Sequence, residues 1–324
     1  MSDFKPLLSA TCEDIRTLRF PVLASPKLDG IRCVKIGGKA LTRKLKPIPN
    51  DFVRTWIEAN LPDGIDGELM LRDHRASFSE VSSAIMSRAG EPDFVFCAFD
   101  FVGLDEPEIT LDLPFDRRLL ALENWMAMQQ MRNRGSGIGG QQFSATGPRL
   151  LVVEHHLCRS GEELEKLRED FLAAGYEGTM VRDPNGRYKF GRSTLKEQIL
   201  CKIKAWADEE AVVIGAVEQM HNANEATRDA VGNVKRSSAK AGKVGTGKLG
   251  ALICRTEDGV EFEIGTGFTD AQRVAIWKEA EAPLALAGDG IIGLVVKFRH
   301  QPPPGGRAPG SAPRFPVFLG WRED

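Results

Sequence analysis

The stretch SPKLDGIR, residues 25–32, sets one lysine between a proline and an Asp-Gly pair. PVLA precedes it and IRCVKI follows it, so residues 20–36 read as strand, turn, strand, with Asp29-Gly30 in the turn. Two readings fit the charged residues. In one, Lys27, Asp29 and Arg32 are ordinary polar residues of a surface turn. In the other, Lys27 is a nucleophile, Asp29 orients or deprotonates a group beside it, and Arg32 grips a phosphate. The motif alone does not separate them.

The chain has 324 residues, 42% hydrophobic and 27% charged, which suits one large globular domain or two smaller ones. No apolar run approaches a membrane span, and the first 20 residues lack the basic-then-apolar pattern of a signal peptide, so neither is expected. The formal net charge is −2, so any binding of nucleic acid must come from local basic patches. Cys12, Cys33, Cys97, Cys158, Cys201 and Cys254 form no CxxC pair, which argues against a zinc cluster. Scattered cysteines suit an intracellular, reducing compartment and small core positions.

Further along, Asn50 caps a short predicted helix with Val53, Trp56 and Ile57 on one face. GIDGELML (64–71) and FVFCAFDFV (94–102) read as strands, and residues 115–130 as a helix. Residues 134–148 form a glycine-rich loop. Its GSGIGG core lacks the following Lys-Ser/Thr and the strand-to-helix junction of a phosphate loop. A third helix starts at Ser160 with Glu163 as its capping box, carries Leu164, Leu167 and Phe171 on one stripe and stops at Gly175. EGTMVR (177–182) and QILCKIKAW (198–206) follow as strands. After about Trp206 the pattern changes to short strands, a Glu257-Asp258-Gly259 hairpin turn and one helix from Thr269, which points to a small β-barrel of the OB type. The domains are therefore expected at 1–206 and 207–324.

Strand periodicity puts Asp66 and Glu68 on one face of their strand, and Lys202 and Lys204 on one face of theirs. A sheet with one wet face explains this, and so does a nucleotide site with acids for ribose and Mg²⁺ and lysines for phosphate. His155 and His156 are neighbours on a strand-like stretch and point to opposite faces, so no metal is assigned to them.

Six stretches, KLDGIR (27–32), Arg43 in LTRK, DGEL (66–69), FCAFDFV (96–102), EGTMVR (177–182) and KIK (202–204), fall in a fixed order, followed by RFPVFLGWRED (314–324). In that order and spacing the chain resembles the ATP-dependent DNA ligases of the covalent nucleotidyltransferase superfamily, in particular the minimal viral, Chlorella-virus-type subgroup. KFGRSTLKE and EFEIGTGFTDAQR resemble that subgroup too.

The resemblance implies an α+β fold: an ATP-grasp-like nucleotidyltransferase domain with antiparallel sheets, followed by an OB-fold domain. It implies a monomer that uses ATP and Mg²⁺, with Mn²⁺ as a substitute, and acts on nicked duplex DNA without a membrane or an obligate protein partner. Lys27 would attack the α-phosphorus of ATP and carry AMP. A free lysine is mostly protonated at neutral pH, so desolvation and the charges of Lys202 and Lys204 would have to lower its pKa. Ser25 and Asp29 stand beside it. Glu68 would hold the ribose, Glu177 and Glu68 the Mg²⁺, and Phe99 would stack on adenine. Arg32 and Arg43 would hold the 5′-phosphate of the nick, helped by Lys189 and Arg192.

The final motif ends in Arg322, Glu323 and Asp324 where the family commonly has a further basic residue, which leaves Arg322 and Arg314 to orient pyrophosphate. Residues 219–248 interrupt the barrel with Arg228, Lys235, Arg236, Lys240, Lys243 and Lys248 against Glu225 and Asp229. Few large apolar residues occur there, so a mobile segment is expected, and the resemblance implies a latch that meets DNA phosphates. mRNA-capping guanylyltransferases and RNA ligases share parts of the pattern, and a non-catalytic nick-binding OB protein is a further alternative.

Overall fold

The computed structural model describes residues 4–73, 76–103, 111–136, 143–144, 147–228, 234–237, 239–281, 290–302, 307 and 309–322. They form two compact units, Met1–Lys204 and Ala205–Asp324. Among the described residues no helix is long and apolar enough to cross a membrane.

Two five-stranded sheets make up the first unit. One runs, in spatial order, Leu150–Val152, Phe94–Phe101, Ile65–Leu71, Ile31–Ile36 and Lys39–Thr42. The other runs His156–Cys158, Val22–Pro26, Gly178–Arg182, Leu200–Lys204 and Ala10–Thr11. Pairing is antiparallel except at Leu150–Val152 in the first sheet and Ala10–Thr11 in the second.

Helices Asp51–Asn60, Phe78–Met86 and Phe115–Ser136 cover the outer face of the first sheet, burying Val53, Ile57, Val81, Ile85 and Leu122 against Phe94, Phe96 and Leu69. Apolar area of this kind, at about 25 cal/mol per Å² removed from water, supplies most of the unit's cohesion. Asn50 caps its helix as expected, accepting from the Val53 amide at 2.9 Å. At the helix Gly161–Ala173, Ser160 accepts from the Glu163 amide, but the Glu163 carboxylate reaches back to the Arg159 amide instead of that of Ser160. This helix buries Leu164 beneath the second sheet with Val22, Ala24 and Cys201. Leu7, Val34, Val102, Tyr188 and Leu200 pack together and join the two sheets.

The strand Phe94–Phe101 departs from simple alternation. Asp66 pairs with Asp100, yet the next residue, Gly67, pairs with Ala98, so Phe99 is an extra residue. Phe94, Phe96 and Ala98 face the core, and after the extra residue so does Phe101. Such a β-bulge turns side chains out of the pleat they would otherwise occupy.

In the second unit five strands run Glu261–Ile264, Lys243–Arg255, Ala207–Asn222, Val295–His300 and Val317–Trp321. The edge strands meet where Thr266 bridges Val317 and accepts the Phe318 amide at 2.9 Å, which closes the sheet into a barrel. Gly267, at φ +94°, allows this approach, because a Cβ there would lie 2.4 Å from the Phe318 carbonyl oxygen. The helix Asp270–Glu281 has Thr269 accepting from Gln272, and Ile276 enters the barrel core.

The described part of residues 219–248 is largely strand-paired. The barrel strands continue through it as a long hairpin, pairing Met220 with Gly245, His221 with Val244 and Asn222 with Lys243. A smaller hairpin, Ala226–Arg228 with Val234–Arg236, follows. Asn222 and Asn224 stitch the two together, their side-chain amides donating to the Ser237 and Ala239 carbonyls at 2.9 to 3.0 Å. Backbone pairing and short polar side chains, rather than an apolar core, hold this extension. Of the glycine-rich stretch, residues 137–142 and 145–146 lie outside the described residues.

Candidate active site

The strand ladder of the second sheet assembles the site. Val22–Pro26 runs antiparallel to Gly178–Arg182, and the ladder goes one step further: the Lys27 amide donates to the Gly178 carbonyl at 2.9 Å and the Glu177 amide to the Lys27 carbonyl at 3.3 Å. Lys27 and Glu177, 150 residues apart in sequence, are thus backbone neighbours, and the Lys27 ammonium donates to the Glu177 carboxylate. On the other side Gly178 pairs with Lys204, whose ammonium lies 4.0 Å from the same carboxylate. Gly178 permits this spacing, since a Cβ there would sit 2.4 Å from the Ile203 carbonyl oxygen. One row further, Met180 pairs with both Ser25 and Lys202.

A cavity of about 210 Å³ opens between the two sheets of this unit. Ser25, Lys27 and Lys202 line it from the second sheet's side, and Arg32, Glu68 and Phe99 from the first. Exposed Arg43, from the turn after Lys39–Thr42, and Arg192 add positive charge to its wall. Arg192 also donates to the Ser9 carbonyl at 2.6 Å. Burial, followed by the charges of Lys204, Lys27 and Arg192, lowers the Lys202 ammonium below the ordinary lysine value. Burial also pushes the Glu68 carboxyl up to about 7, against the opposing pull of Arg32 and Lys27.

Phe99 carries cations near its ring. The Arg32 guanidinium lies 4.6 Å and that of Arg182 5.6 Å from its centroid. Both arginines are tied to buried acids, Asp66 and Asp100. Arg32 is clasped by Asp66, which also accepts from the Tyr188 hydroxyl at 2.7 Å. Arg182 donates to Asp100 at 2.6 Å, and fully buried Arg118 donates to the same carboxylate at 2.8 and 3.2 Å. Burial alone would raise the Asp100 carboxyl, but Arg118 and Arg182 hold it below the usual carboxylate range. Arg182 stood in the quoted EGTMVR and Asp100 in FCAFDFV, whereas nothing local marked Arg118 or Tyr188.

Other expected residues stand elsewhere. Asp29 is half-buried in the turn and does not line the cavity, although its charge acts on Glu68. Lys189 bonds both oxygens of Glu197 at 2.7 Å and is likewise outside the cavity wall. In the second unit Arg322 pairs with Glu210 at 3.2 Å. Lys240 and Lys243 are exposed on the hairpin extension, and the side chains of Lys235 and Arg236 lie outside the described residues.

A Mg²⁺ ion needs oxygen ligands and few protein carboxylates, so half-buried Glu68 and Glu177 fit one together with substrate phosphates. Among the described residues no cluster of three or more candidate ligands occurs.

Residues 6–204 match the sequence family described as the ATP dependent DNA ligase domain, and residues 241–322 match that of the DNA ligase OB-like domain. The DNA ligase of African swine fever virus (isolate Tick/Malawi/Lil 20-1/1983) is 27% identical over 170 residues, which is 52% of this chain and 36% of that protein. The chain thus spans little more than a third of the curated relatives it matches. The crystal structure of Chlorella virus DNA ligase-adenylate is 31% identical, covers 98% of this chain and 99% of its own, and superposes with a TM-score of 0.54. A structure from a study of DNA binding with a minimal scaffold by Lig E DNA ligases is 26% identical over 97% of this chain and 98% of its own, with a TM-score of 0.64.

Proposed function

The chain belongs to the ATP-dependent DNA ligase family, and from that premise we propose that it seals 3′-hydroxyl/5′-phosphate nicks in duplex DNA through a lysyl-AMP and a DNA-adenylate. The observation that carries this reading is the ion pair of Lys27 with Glu177 beside a cavity that Glu68, Phe99 and Lys202 also line. A surface turn has no reason to set a lysine against a carboxylate inside such a wall.

In the first step Lys27 Nζ attacks the α-phosphorus and pyrophosphate leaves. Nζ must lose a proton to do so, and the Glu177 carboxylate touching it is the acceptor at hand. Lys202 and Lys204 meet the negative charge that builds on the α-phosphate. Adenine stacks on Phe99 and Glu68 meets the ribose. Mg²⁺, held by Glu177 and Glu68, supplies further charge neutralisation when bound.

In the second step AMP passes to the 5′-phosphate of the nick, which Arg32, Arg43 and Arg192 neutralise. In the third the 3′-hydroxyl attacks and AMP leaves. Both are phosphoryl transfers that depend on positioning and charge. The adenylylation chemistry belongs to residues 1–206, and the OB unit with its 219–248 hairpin engages the duplex. Lys240 and Lys243 are the described cations offered there to phosphate.

The test is covalent labelling. The protein is incubated with α-labelled ATP, with α-labelled GTP or with adenylate-labelled NAD, and then given nicked DNA or nicked RNA. ATP label on Lys27 followed by sealed DNA is the expected result. GTP label would favour a capping enzyme, sealing confined to RNA would favour an RNA ligase, and no label with intact nick binding would leave a binding module.

A further inference from the structure

His155 holds an acceptor with nothing to accept. Its ring forms part of the cavity wall, and Nδ1 lies 2.8 Å from the Val153 carbonyl oxygen. A carbonyl can only accept, so Nδ1 carries the proton and Nε2 of the neutral ring keeps a lone pair. Nε2 is closed to bulk solvent and has no hydrogen-bond partner among the described residues. Such an atom costs free energy unless something that enters the site donates to it.

The surroundings keep the ring neutral and fixed. Burial, then the charge of Arg182, pushes its pKa down to about 4. The Phe115 ring packs against it at 5.1 Å and 63°. The Arg182 guanidinium lies 4.3 Å from the Phe115 centroid and 5.6 Å from that of Phe99, so His155, Phe115, Arg182 and Phe99 form one connected wall. The cationic side chains of the cavity, Lys27, Lys202, Arg32, Arg43, Arg182 and Arg192, are donors only. Glu68 accepts, but it is assigned to the ribose. A neutral acceptor on the wall that continues from Phe99 has a different use.

We propose that His155 Nε2 accepts a hydrogen bond from the exocyclic amine of the purine stacked on Phe99, and so sets the preference for a 6-amino over a 6-oxo purine. A 6-amino group donates to the lone pair, whereas a 6-oxo group presents its own lone pairs and leaves both acceptors unmet. The inference rests on the nucleotide reading of the cavity given above.

The test compares kcat/KM for covalent labelling with ATP, purine riboside triphosphate (6-amino replaced by hydrogen) and GTP, in the unaltered protein and in His155→Phe and His155→Gln. The unaltered protein should prefer ATP to purine riboside triphosphate by about tenfold, the worth of one neutral hydrogen bond, and should discriminate more strongly against GTP. His155→Phe should bring the first ratio close to one, mainly by slowing ATP. His155→Gln, whose amide oxygen accepts, should restore part of it.

Equal labelling of the unaltered protein by ATP and purine riboside triphosphate overturns the inference and leaves the ligase reading intact. A ratio that persists in His155→Phe also overturns it. Failure of ATP to label Lys27 at all overturns the ligase reading and this inference with it. If His155→Phe does not fold, the analogue series on the unaltered protein and on His155→Gln decides.

Discussion

Asp66 grips Arg32 through both carboxylate oxygens, Nε to Oδ1 at 2.5 Å and Nη2 to Oδ2 at 2.6 Å, and Asp66 is completely buried. The arginine of KLDGIR is therefore aimed by a strand neighbour before any phosphate arrives, since Arg32 pairs with Glu68 and Val34 with Asp66 across the two strands. Breaking a buried ion pair by removing one partner costs about 3–5 kcal/mol. Arg32→Ala should lose stability of that order in urea unfolding. Arg43→Ala, at an exposed turn, should stay within about 0.5 kcal/mol. Both should spare lysine adenylylation more than nick sealing. An Arg32→Ala protein that seals normally but adenylylates poorly would reverse the assignment.

Lys27→Ala should abolish AMP attachment while the protein still folds, because the lysine belongs to the ladder's extension and not to a packed core. Intact-mass spectrometry after incubation with ATP reads the first point and circular dichroism the second. Adenylate found on the Lys27→Ala protein would remove the nucleophile from its role.

Glu68 gives a pH signature. Its folded-state pKa, about 7, lies above the ordinary value near 4.5. Between those values the folded protein binds the proton and the unfolded chain does not, so this group's contribution to stability is complete below about 4.5 and is lost as pH rises through about 7. Thermal melts from pH 5 to 8 should show Glu68→Gln gaining on the unaltered protein as pH rises. A constant difference across that range would mean that Glu68 titrates as an ordinary exposed acid. The ribose and Mg²⁺ contacts proposed for Glu68 need its charged form, so adenylylation should rise through the same window.

For the hairpin, excising 223–242 and joining Asn222 to Lys243 by a two-residue turn keeps the paired part of the ladder. The trimmed protein should adenylylate Lys27 nearly as well as the full chain. It should bind nicked duplex DNA more weakly, with a shallower dependence of log K on log salt because fewer phosphates are neutralised. Unchanged affinity and slope would remove the hairpin from the DNA-binding surface.

The acids and lysines of the site were readable because strand geometry exposes them. Glu68, Lys202 and Lys204 alternate with apolar residues in short, clearly bounded strands, whereas Glu177, just before its strand, was marked by the resemblance of EGTMVR. What the strands meet was not readable. Asp100 finds Arg118 18 residues away and Arg182 82 residues away, and no local pattern encodes such a partnership. Lys189 and Arg322 read in sequence as ligands of the nick phosphate and of pyrophosphate, and in the fold they pair with Glu197 and Glu210. In the 219–248 segment low apolar content hides a hairpin, because strands that continue from a barrel inherit their alignment from the pairing below. His155 was set aside because only metal binding was asked of it.

At Phe99 the chain keeps a count as well as an aromatic. Phe99 is the one unpaired residue between Ala98 and Asp100, and because of it Asp100 lies opposite Asp66 and Phe101 turns to the core. Tyrosine or tryptophan in its place leaves the sheet untouched. Deleting Phe99 or Asp100 erases the offset and removes either the aromatic of the cavity wall or the acid that ties Arg118 and Arg182. The site therefore tolerates spelling changes at this point but not a frameshift in space, and variants with altered base preference are best sought by exchanging the ring while the residue count is held fixed.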